Sequence, residues 1–97
     1  MSAARRARGS AAGGALLRVT VPSAGTLHVR PVAGRRALRR ARRPAAAAGV
    51  VSFRLRPSRA GRRVISGRGR LRARVLVTFT PVAGATQTAK VAVTLWR

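Results

Sequence analysis

The sequence predicts an all-β domain, a β-sandwich of about six to seven strands with Greek-key connections and one short helix near residues 58–66. Three observations carry that expectation. Apolar and polar residues alternate at a period of two from Leu16 onward, which sends successive side chains to opposite faces of a sheet. Gly and Pro punctuate these runs at short, regular intervals. Finally, 46% of the 97 residues are apolar, enough for a packed core in a chain of one-domain length. An open barrel is the nearest rival architecture.

Residues 1–14 hold Arg5, Arg6 and Arg8 among Ala, Ser and Gly with no periodic apolar pattern. They are expected to be a flexible basic tail ahead of a β-sandwich domain at 15–97. The apolar stretch at 11–17 is interrupted by Gly13 and Gly14 and stopped by Arg18, so it is not read as a secretory signal. No run of apolar residues is long enough for a transmembrane segment.

In the strand at 16–21, Leu17, Val19 and Val21 share a face, and Pro22-Ser23-Ala24-Gly25 makes a tight connection. The strand at 26–30 turns Leu27 and Val29 inward. Pro31-Val32-Ala33-Gly34 follows it, and the same tetrapeptide returns as Pro81-Val82-Ala83-Gly84, a reused turn and not a domain repeat. Residues 35–43 fit a short helix about as well as a strand. With Gly34 before and Pro44 after, they are read as a strand.

Residues 50–56 offer Val51, Phe53 and Leu55 to the core. Between 57 and 69 the alternation fails, and Ala60, Val64 and Ile65 fall at spacings that suit one or two helical turns, with Ser58 as N-cap and Gly67 at the exit. The clearest strand is 70–80, where Leu71, Ala73, Val75, Val77 and Phe79 occupy one face. Its hairpin partner is 86–96, with Ala89, Val91, Val93 and Leu95 inward and Trp96 outward.

Composition excludes most catalytic chemistry. The chain has no Asp, Glu or Cys and a single His, so paired-carboxylate acid-base work and a Ser-His-Asp arrangement are both impossible. One His does not make a metal site, and His28 is expected to be a solvent-facing strand residue. The two glycines of Ser66-Gly67-Arg68-Gly69-Arg70 lack the spacer and Lys-Ser/Thr of a phosphate-binding loop, so they read as a turn. The expectation is a non-enzyme with no cofactor and no small-molecule substrate.

The charge is extreme. Lys and Arg number 22 against no acidic residue, and only Lys90 is Lys. Spread over the roughly 5,300 Å² expected for this mass, that is one charge per about 240 Å² at a spacing near 15 Å. Such repulsion is tolerable in saline and costly at low ionic strength.

The cations cluster in two blocks. Arg35, Arg36, Arg39, Arg40, Arg42 and Arg43 form one. Arg54, Arg56, Arg59, Arg62, Arg63, Arg68, Arg70, Arg72 and Arg74 form the other. Strand pairing would carpet one outer face with Arg, whose planar donor fork suits phosphate and carboxylate. The candidate anion-binding residues are those of both blocks apart from Arg59. The expected partner is an anionic polymer, either a cell-envelope polysaccharide or a phosphate polymer. Nucleic acid is the competing partner, although no Phe or Trp interleaves with either block to stack bases.

Gly25-Thr26-Leu27-His28-Val29, the run Ala48-Gly49-Val50-Val51-Ser52-Phe53-Arg54-Leu55-Arg56-Pro57 and the run Gly69-Arg70-Leu71-Arg72-Ala73-Arg74-Val75 through Val77-Thr78-Phe79-Thr80-Pro81 occur in a familiar order. Over residues 16–97 the chain resembles a basic immunoglobulin-like repeat found near the C-terminal ends of secreted or cell-surface proteins of high-GC Gram-positive bacteria. His28 stands where that pattern usually has Thr. The resemblance implies an immunoglobulin-like β-sandwich working at the cell surface as part of a longer protein, with a cytoplasmic location as the alternative.

Overall fold

The longest strands form the hairpin that the alternation marks most clearly. In a computed structural model, which describes residues 1–32 and 38–97, the chain runs β1 (Ser2–Ala3), β2 (Arg6–Ser10), β3 (Gly14–Val21), β4 (Gly25–Pro31), β5 (Ala41–Ala45), β6 (Gly49–Leu55), α1 (Arg59–Arg68), β7 (Arg70–Pro81) and β8 (Gln87–Trp96). β7 and β8 pair antiparallel from Arg70↔Trp96 to Phe79↔Gln87. β4 lies antiparallel on the other flank of β7, and β5 on the far side of β4.

The described chain is therefore mostly β with one short helix, and its sheet curls. β2 runs parallel to β8 through Arg6↔Ala92 to Ser10↔Trp96, yet touches β3 only at Gly9↔Ala15 and Ser10↔Gly14. At this crossover a Cβ on Gly9 would stand 1.9 Å from the Gly14 carbonyl oxygen, so only glycine allows the backbones to meet. β3 then pairs along its length with β6, while β1 holds its far end through Ser2↔Thr20 and Ala3↔Val19. The outermost segments also approach each other. Leu38 bridges to Pro57, and the Arg39 N–H donates to the Arg56 carbonyl at 3.0 Å.

The core fills the inside of this curl. Leu17, Val19, Val21, Leu27, Val29, Phe53, Leu55, Val75, Val77, Phe79, Val91, Val93 and Leu95 are each essentially solvent-free. These are the inward positions that the alternation predicts, and fully burying each such side chain stabilises by about 1.5–3 kcal/mol. Ala73, Ala89 and Val51 are only half-buried. The helix joins through one stripe, Gly61 and Ile65, while Val64 stays at its margin. Ser58 caps it by accepting from the Gly61 N–H.

Four expectations change. The helix runs past Gly67 and stops at Gly69, whose φ of +81° is left-handed and whose N–H closes on the Ile65 carbonyl at 2.7 Å. The strand read at 35–43 lies instead at Ala41–Ala45, with residues 33–37 outside the described part of the chain. The described residues form eight strands, more than six to seven, because β1 and β2 lie in the segment read as a flexible tail. That segment is held mainly by main-chain pairing. Ala7 is its one fully buried apolar side chain, so no alternation announces it. No helix among the described residues is long and apolar enough to cross a membrane.

Candidate anion-binding face

Because paired residues in a sheet point to the same side, the register fixes which cations meet. Inward Leu71, Val75, Val91 and Val93 oblige their neighbours to face out. Across the outer side of β2, β8 and β7 the rungs then read Ser10–Trp96–Arg70, Arg8–Thr94–Arg72 and Arg6–Ala92–Arg74. The next rungs read Lys90–Leu76–Arg30 and Thr88–Thr78–His28, the latter extending to Arg42 on β5.

This face carries Arg6, Arg8, Arg30, Arg42, Arg70, Arg72, Arg74 and Lys90, all exposed. The Arg residues of β2 and β7 form two columns on either side of β8. Within a column, neighbours are two residues apart, about 6.7 Å, and the columns stand about 9.6 Å apart across two strand spacings. Between them Ala92 and Thr94 form a low floor. A depression of about 440 Å³ is lined by Val32 and by Arg72, Ala73, Arg74, Ala92, Val93 and Thr94 of β7 and β8, with no β2 residue in its lining. Further along the same face, His28, Arg30, Arg40, Arg42 and Thr78 line a second depression of about 380 Å³. Among the described residues no polar or charged side chain is buried, so none of these cations is committed to the core.

The structure distributes the two sequence blocks differently from their order in the chain. Arg70, Arg72 and Arg74 come together as one column, with Arg42 and Arg40 further along the face. Arg43 lies on the other side of β5 from Arg42, in register with Leu27. Arg39 continues the chain ahead of β5 and is exposed. Arg54 faces out on the opposite side of the molecule, where its guanidinium donates to the Gly13 carbonyl at 2.8 Å, and Arg56 follows at the end of β6. Arg62, Arg63 and Arg68 are exposed on α1. Arg35 and Arg36 lie outside the described residues.

Four cations of the face were not among the sequence candidates: Arg6, Arg8, Arg30 and Lys90. The signal for two of them was present. Arg6-Ala7-Arg8 repeats the out-in-out period of Arg72-Ala73-Arg74. His28 is exposed on this face, as expected.

No protein-family model matches the chain, and neither the curated proteins nor the solved structures provide a match.

Proposed function

We propose that this chain is a non-catalytic structural or adhesive module of the bacterial cell surface that holds an anionic envelope polymer on the outer face of β2, β8, β7 and β4. One observation carries the reading: register brings two separate Arg columns, from β2 and β7, to either side of a strand floored by small residues. Guanidinium groups there present donor forks to an anion without competition, since no acidic side chain exists anywhere in the sequence.

The topology supports reading the curled sheet as an immunoglobulin-like Greek-key sandwich. In that reading β1, β3 and β6 make one layer and β2, β8, β7, β4 and β5 the other, with α1 carrying the chain between them. The resemblance over residues 16–97 points the same way and implies a module within a longer secreted or surface protein.

Nucleic acid is the second reading, favoured by net charge. Against it, among the described residues this face exposes Trp96 and, rungs away, the imidazole of His28, too few for a base-stacking platform. Binding measured at about 150 mM salt against a wall phosphate polymer, an acidic polysaccharide, duplex DNA and structured RNA separates the two. The envelope polymers should bind more tightly per charge. Tighter binding of DNA or RNA overturns the proposal, and equal binding of all four reduces it to nonspecific attraction.

A further inference from the structure

The two Arg columns do more than concentrate charge, because their spacing is periodic. Arg8 and Arg72 share a rung over Thr94, and Arg6 and Arg74 share the next over Ala92. From rung to rung is two strand residues, hence about six backbone bonds and about 6.7 Å. A linear polyol phosphate such as poly(glycerol phosphate) also repeats every six or so backbone bonds, and fully extended its phosphates recur at nearly the same distance.

We infer that the β8 groove seats one extended strand of a linear polyol phosphate, lying along the β-strand direction with successive phosphates straddled by the pairs Arg8/Arg72 and Arg6/Arg74. This rests on the polyanion-binding reading of the same face and assigns that reading a ligand class and a register. Ala92 and Thr94 matter as much as the cations, because their shortness lets a chain descend between the columns. A duplex is too wide to enter a groove bounded by columns about 9.6 Å apart. Single-stranded nucleic acid shares the phosphate chemistry, but between the two rungs the floor is Ala92 and Thr94, and Trp96 at its end is a single ring for successive bases to stack on. A polyol chain has no bases to place, which favours it as the occupant.

The test uses the full chain with Trp96, the single tryptophan, as a fluorescent reporter at the end of the groove, confirmed by calorimetry. The probe is poly(glycerol phosphate) of about ten repeats, set against oligo(dT) of equal phosphate number and duplex DNA at about 150 mM salt. Two double variants separate groove from charge. Ala92→Leu/Thr94→Leu raises the floor and leaves every charge in place. Arg8→Gln/Arg72→Gln removes one rung, with Arg18→Gln/Arg59→Gln, on β3 and at the start of α1, as a control of equal charge.

The raised floor should weaken poly(glycerol phosphate) binding about tenfold or more. The rung variant should do the same and lower the slope of log affinity against log salt by about 1.5, while the Arg18/Arg59 control stays within about twofold. Near-ultraviolet circular dichroism checks that each variant remains folded. If the raised floor destabilises the sheet, the rung and control variants decide alone. Equal losses from those two, or an unchanged affinity with the floor raised, overturns the groove while leaving face-level polyanion binding intact. No binding of any polymer by the wild-type chain overturns both. Tighter binding of oligo(dT) overturns the polyol phosphate as occupant.

Discussion

The two outer sides of this molecule are built from the same β alternation over one shared core, yet they carry different surfaces. Among the described residues, the side formed by β2, β8, β7, β4 and β5 displays eight strand cations, Arg6, Arg8, Arg30, Arg42, Arg70, Arg72, Arg74 and Lys90, with Arg40 beside Arg42. Among the described residues, the side formed by β1, β3 and β6 displays Arg18 and Arg54, with Arg56 at the end of β6, beside Ser2, Thr20, Ser52 and the exposed Leu16 and Val50. A composition bias toward Arg would load both sides alike. The two sides differ in how many cations they gather, and a gathered set is what a binding face requires.

The patterning also changes the electrostatics. The chain exposes 6388 Å², so its charges are sparse on average. The basic face is not sparse: two unit charges about 6.7 Å apart in water repel by about 0.6 kcal/mol. A Debye length of about 8 Å in physiological salt removes more than half of that.

The comparison can be broken first at the core. If both sides share one interior, Phe79→Ala behind the basic face and Phe53→Ala behind the other should each cost about 3–5 kcal/mol by denaturant titration, in a single transition. Two separate transitions would mean that the sides fold as independent layers.

The next largest contrast is in binding. Arg72→Glu/Arg74→Glu should lower affinity for an anionic polymer about a hundredfold at 150 mM salt, against about threefold for Arg18→Glu/Arg54→Glu. Similar losses would dissolve the distinction between the sides.

Thermal stability sharpens it further. At about 10 mM salt, Arg72→Gln should raise the melting temperature by about 2–5 °C, and the gain should shrink to less than half at 150 mM. Arg18→Gln, with fewer like-charged neighbours, should show less of either effect.

The smallest expected effect concerns Arg54, whose hydrogen bond to the Gly13 carbonyl is exposed. Arg54→Gln should change unfolding stability by no more than about 0.5 kcal/mol and leave polymer affinity unaltered.

What could be read in advance follows from how local each signal is. Leu71 through Phe79 alternates over enough residues that β7 and its inward face are legible without knowing its partners. Ser58 and its helix are equally local. β2 is not: Ala7 is its only fully buried side chain, and its strand character comes from hydrogen bonds to β8, more than eighty residues away. The candidate site divides the same way. Arg70, Arg72 and Arg74 lie on one strand, so alternation alone gathers them. Arg6 and Arg8 join them only through the parallel register with β8, and nothing in the order of residues states a register.

That parallel pairing sets how the module meets mechanical load. β2 lies near the N-terminus and β8 at the C-terminus, side by side and pointing the same way, with Ala92 N–H bonded to the Arg5 carbonyl and Ala11 N–H to the Trp96 carbonyl. Tension drawn between the two ends pulls these strands in opposite directions along their length, so the bonds between them are strained together in shear and not opened one at a time like a zipper. Stretching single molecules by the ends should therefore give one abrupt rupture.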